Sequence, residues 1–185
     1  MIYTFLSLRT AGFAVGALLI ALHGAAIIHR AGSRAWLTNL PRSRSVGVVL
    51  LGAAALWSFL LIANMDLGEF SSFRKPLLIL IPVSAALTVK FVEEFLAVRA
   101  LGMLLLLAAE PVLEAAFLRL ETSRLLLVTL AYGWAVLGMF YVGTPYILRD
   151  QISWLQRSGM RWKIATWGGF AYGLAVLGAA VVQNP

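Results

Sequence analysis

Long apolar runs, separated by polar gaps too short to fold on their own, constrain this chain more than any other feature. Residues 10–28, 46–65, 125–148 and 164–182 each form such a run. About 20 apolar residues in a helix cross the ~30 Å of bilayer hydrocarbon, so each run reads as a transmembrane helix. Composition agrees: 61% of the 185 residues are hydrophobic and 12% charged, with a mean hydropathy of +0.88. A soluble domain is ~45–50% apolar and ~25% charged, and one core of this length could not hide the excess. The fold class implied is all-α, a polytopic integral membrane protein with a bundle of about six helices, forming a single domain over residues 1–185. The first run is preceded by Arg9 alone and is long enough to span. It is therefore expected to be a retained helix rather than a cleaved signal peptide.

One block is too long for a single crossing. Residues 77–118, interrupted by Lys90, Glu93, Glu94 and Arg99, would make a helix of ~63 Å, twice the hydrocarbon thickness. Two spans are expected instead, at about 77–96 and 100–118, although no Gly, Pro, Asn or Asp marks the turn. The basic residues support this division. With six spans, ten Lys/Arg fall on one side and five on the other; with five spans the split is nearly even. Basic residues concentrate on the cytoplasmic side, so both termini are expected outside, in the periplasm of a bacterial inner (plasma) membrane. The gap at 149–163 mixes four basic residues with Ile152, Trp154 and Leu155, as an amphipathic segment lying in the interface does. Trp36, Trp154, Trp162 and Trp167 fall at span ends, where aromatic anchors concentrate.

Several chemistries are set aside. The net charge of +7 is scattered singly or in pairs through the gaps, the pattern of membrane anchors rather than of a nucleic-acid groove. With no cysteine, disulfides, thiolate metal sites and iron–sulfur clusters are excluded. The chain carries no phosphate-binding glycine loop, nucleophile elbow or paired-histidine zinc motif. No cofactor or metal is expected. His23 and His29 stand six apart on one helix, about 240° around it, and cannot grip one ion together.

The stretch LLLLAAEPVLEAAFLR (residues 104–119) holds the main candidates. Glu110 falls near the middle of the expected fourth span, where an ionised acid costs ~2.5–3.5 kcal/mol. Desolvation favours its neutral form, and the carboxyl is expected to face the bundle interior or a partner subunit rather than lipid. Pro111 lacks an N–H, which leaves the Leu107 carbonyl without its helical donor and predicts a kink; Pro82 predicts a second one in the preceding span. Glu114 and Glu121 fall within about 40° of Glu110 on a helical wheel, giving an acidic stripe from mid-membrane to the outer end. This stripe reads either as an ion or proton path or as a polar clamp, with Lys90, His23 and Arg124 as candidate partners. Lys90, Glu93 and Glu94 are expected to form a solvated, salt-bridged helix end.

Small residues supply the packing candidates. Gly12 and Gly16 in the first span, and Gly169 and Gly173 in the last, each form a GxxxG pair that lets two backbones approach closely. AYGWAVLGMF (131–140) and AYGLAVLGAA (171–180) match at seven of ten positions, which is expected from shared packing needs rather than from a structural repeat. The functional expectation is an accessory, assembly or structural subunit of a membrane complex, and not an enzyme. Its partners would be the lipid bilayer and other membrane subunits or further copies of itself, without nucleic acid. The alternatives are a proton- or cation-coupled transporter or channel using Glu110 and Glu114, and a membrane-embedded lipid-modifying enzyme.

Overall fold

The computed structural model describes residues 6–92 and 94–182. It is helical throughout: α1 (Leu8–Ile28), α2 (Arg30–Asn39), α3 (Arg44–Asn64), α4 (Arg74–Phe91), α5 (Leu96–Ala116), α6 (Arg124–Gly143), α7 (Tyr146–Gln156) and α8 (Gly159–Val182). Short 3-10 turns at Leu40–Arg42 and Gly68–Phe73 lead into α3 and α4. Six helices, α1, α3, α4 (extended back through Gly68), α5, α6 and α8, are long and apolar enough to span a membrane. The chain is a multi-pass, all-α membrane protein.

Local chemistry sets the boundaries. Ser7 and Ser43 cap α1 and α3 by accepting the backbone N–H of Thr10 (3.1 Å) and Val46 (3.4 Å). α6 stops at Gly143 rather than at 148, because Pro145 pushes Thr144 out of the helical region (φ −129°, ψ 69°). The chain restarts as α7, an amphipathic helix that begins three residues before the gap at 149–163. The basic gap after α1 is also helical, as α2, which nothing in its residue pattern announced.

The break inside the long apolar block lies earlier than expected. α4 ends at Phe91, and Phe95 takes a left-handed conformation (φ 56°) just before α5 begins at Leu96. Leu96, Ala97, Val98 and Ala100 are almost fully buried. Burying these apolar side chains between neighbouring helices draws the start of α5 back by four residues, and Arg99 becomes part of its first turn. Lys90 therefore sits at the end of α4 and the exposed Glu94 in the bend beyond it, so the two do not share a helix end. Glu93 lies outside the described residues.

The centre of the bundle is α5. One side packs on α6, the other on α3, which runs parallel to it, and its last turns touch α1. α1 packs along α8, joining the first and last spans. One apolar core unites Val15 and Leu19 of α1, Val112 and Ala115 of α5, Ala131 of α6 and Val176 of α8. A second lies at the opposite end of α5, where Val98 meets Tyr141, Leu40 and the α7 residues Leu148 and Ile152. α4 leans on α3 and buries none of its own residues.

Glycine places the tightest contacts. A Cβ on Gly12 would stand 2.7 Å from Ala180 Cβ, and one on Gly16 2.9 Å from Leu177 Cβ. On the α8 side, Gly173 faces Leu19 and Ile20, and Gly169 lies under the imidazole of His23. All four glycines thus line the α1–α8 seam. A second seam joins α5 to α6, where Gly102 and Gly138 each face the other's carbonyl oxygen at 2.8 Å from the Cβ position. The similar segments of α6 and α8 use different glycines: Gly138 and Gly173 are packed, while their counterparts Gly178 and Gly133 face open space. They are not equivalent structural units.

α2 and α7 lie together at the basic end of the bundle. The Arg34 guanidinium donates to the Gln156 carbonyl (2.6 Å), the Gln156 amide donates back to the Arg34 carbonyl (2.9 Å), and the Thr38 hydroxyl donates to Gln156 Oε1 (3.1 Å). The Arg34 guanidinium also stacks over Trp162, 5.6 Å from the ring centroid. Trp162 is 2% exposed: it is a core residue, unlike the exposed Trp36, Trp154 and Trp167. Its position in the first turn of α8, beneath α2, removes it from the interface.

Candidate functional site

The acidic face of α5 sits differently from its expected place. α5 is 21 residues long, about 31 Å. With its start moved back, Glu110 lies about 6 Å beyond the helix midpoint, toward the end opposite α2 and α7. Glu114 is two residues from the end. Both remain within the span, but neither is central.

Glu110 is exposed on the outside of the single chain, so the bundle interior is not where its carboxyl resides. The neighbouring positions explain this. Ala109, Val112, Ala115 and Ala116 take the buried face toward α1 and α6, which turns Glu110 outward at 100° per residue. Glu114 is half-buried, and its Oε1 is enclosed with no hydrogen-bond partner. Met103, Leu107, Glu110 and Glu114 follow one another at helical spacing along a single face of α5.

The proposed partners are elsewhere. Glu121 lies in the loop after α5, because the helix ends at Ala116 and Leu118 turns left-handed (φ 55°). The acidic stripe therefore stops at Glu114. Arg124 opens α6, where its backbone N–H donates to the Glu121 carbonyl (3.1 Å). Lys90 is at the opposite end of the bundle, over the ring of Phe91 at 5.3 Å. His23 rests on Gly169 in the α1–α8 seam, its Nδ1 2.9 Å from the Leu19 carbonyl, an ordinary helix-satisfied histidine. Among the described residues the one ion pair is Arg149–Asp150, 3.0 Å and exposed. The helix runs unbroken through Pro82 in α4 and Pro111 in α5. No group of three or more His, Asp or Glu among the described residues could hold a metal ion.

A further feature carries no signature in the sequence. α3, α4 and α5 line an open cleft of about 340 Å³, formed by Leu51, Ala54, Ser58, Ser84, Ala85, Thr88, Met103 and Leu107, among others. Its apolar residues look like any lipid-facing residues until the three helices are placed together. The chain matches no protein-family model, no curated protein and no solved structure.

Proposed function

We propose that this chain is an accessory or assembly subunit of a larger membrane complex, and that it receives a partner transmembrane helix on the α5 face at Glu110. One observation carries the reading: an acidic side chain lies on the outer surface of a span, within the hydrocarbon, with no ion pair or hydrogen bond of its own among the described residues. Lipid offers such a carboxyl nothing, and polar groups at this depth are retained where a partner satisfies them. Glu114, half-buried one turn away, puts a second carboxyl on the same side of α5. The complementary helix carries a hydrogen-bond donor or a cation at matching depth. The ten-against-five distribution of basic residues supports an orientation with the α2–α7 end in the cytoplasm and both termini in the periplasm of a bacterial inner membrane.

Photo-crosslinking in native membranes tests this. A crosslinker at Phe117, exposed and seven residues beyond Glu110, is expected to capture one discrete protein, whereas the same group at exposed Tyr132 on α6 captures none. Glu110→Leu abolishes that product while the purified chain stays monodisperse; Glu110→Gln, which keeps the hydrogen bonding, retains it. Capture that ignores Glu110→Leu overturns the reading. Capture unchanged by Glu110→Gln, with proton or cation flux into proteoliposomes lost, replaces it with transport.

A further inference from the structure

We infer that the α3–α4–α5 cleft is a binding site for an acyl chain of an anionic phospholipid, taken from the leaflet at the basic end of the bundle. The site adjoins the Glu110 face: Met103 and Leu107 lie on the same side of α5, one to two turns nearer the basic end, and the lining there is apolar.

The cleft suits a flexible apolar chain. It is a slot of about 340 Å³ between α3, α4 and α5, open toward lipid on the side where α4 and α5 part. The lining is mostly apolar. Of its three hydroxyls, Ser84 donates to the Ile81 carbonyl (2.9 Å) and Thr88 to the Ser84 carbonyl (2.8 Å), so both spend their proton on their own helix.

Depth points to one leaflet. On α3 the lining runs from Leu51 to Ser58, about 10 to 21 Å along the helix from Arg44. Half of the hydrocarbon is ~15 Å thick. The cleft therefore takes the distal part of a chain whose headgroup lies at the level of Arg44. At that level the protein offers positive charge. The Arg44 guanidinium is exposed and donates to the carbonyl of Val89 (3.2 Å), which joins the α3 and α4 ends. Lys90, the next residue, is exposed as well. Neither cation is in an ion pair among the described residues. A phosphate between them would meet two cations above an apolar slot. α4 contributes one wall without burying a single residue in the chain itself, and a bound acyl chain would cover part of that wall.

Native mass spectrometry of the detergent-purified full chain, after delipidation and titration with phosphatidylglycerol or phosphatidylcholine, tests the proposal. One phospholipid is expected to bind with phosphatidylglycerol favoured. Arg44→Gln and Lys90→Gln each reduce that preference by about fivefold, the equivalent of ~1 kcal/mol per cation near an anionic headgroup, without abolishing binding. Ala85→Phe, and the milder Ala85→Leu should the first fail to fold, fill the cleft and bring binding to background. Val49→Phe, on the 70% exposed outer face of α3, leaves it unchanged. Binding that survives both Ala85 substitutions, or that Val49→Phe reduces equally, overturns the site. A headgroup preference indifferent to Arg44 and Lys90 overturns its anionic specificity.

Discussion

Gly102 and Gly138 show how single positions decide the fit of this bundle. Apolar side chains gain little from leaving lipid for protein, so tight van der Waals approach carries the association of spans. Where each glycine faces the other's backbone oxygen, the obstacle is main chain and cannot rotate away. Gly102→Ala is expected to destabilise the protein by about 1–3 kcal/mol, read as a lower unfolding temperature in detergent. Gly133→Ala, with open space beside it, is expected to be neutral or slightly stabilising through helix propensity. Leu118 presents the opposite case. It is 79% exposed and holds φ 55° just past the end of α5, a conformation that costs a non-glycine residue about 1–2 kcal/mol. Leu118→Asn loses no packing and suits that backbone, so a gain of about 0.5–1 kcal/mol is expected in the same measurement. Residue type alone revealed some of this. The GxxxG pairs of α1 and α8 could be read directly, because two glycines on one face have few other uses in a span. Gly102 could not, since its partner stands on another helix at a register that the sequence does not state. Glu110 was legible as an anomaly, but its direction depended on the face that its alanine neighbours took.

The helices differ in how firmly they are held. α5 is packed on three neighbours and α1 is locked to α8, whereas α4 rests on α3 with no buried residue. Regions with few buried contacts open first. Hydrogen exchange on the protein in detergent is expected to protect α5 most and α4, with the preceding turn Gly68–Phe73, least; uniform protection of α4 and α5 would contradict the packing described. Hydropathy and length were enough to place the six spans, because the bilayer imposes both. They misplaced the α4–α5 turn by about one helical turn, because there the burial of Leu96–Val98 outweighs any local signal. They also left α2 unseen: its residues alternate between charge and small side chains, and its helix is held by Arg34, Thr38 and Gln156 across more than a hundred residues of chain.

Taken together, the helices put the basic α2 and the amphipathic α7 at one end of the bundle and an acidic outer face toward the other. Because the chain has no cysteine, single introduced cysteines report sidedness without background. Cysteines at Ser33 and Ser158 are expected to resist a membrane-impermeant maleimide in intact cells, and those at Ser72 and Thr122 to react. The reverse pattern would invert the orientation proposed above. The seam between α1 and α8 also sets an order of events. α1 has its most extensive contact with α8, a helix made much later. More than a hundred residues separate Ile28 from Gly159, which at 5–20 residues per second is on the order of ten seconds of synthesis. Throughout that interval the surface containing Gly12 and Gly16 stands open in the bilayer. Lipid, or a neighbouring protein, covers that surface in the meantime, and whatever sits there has to leave when α8 arrives.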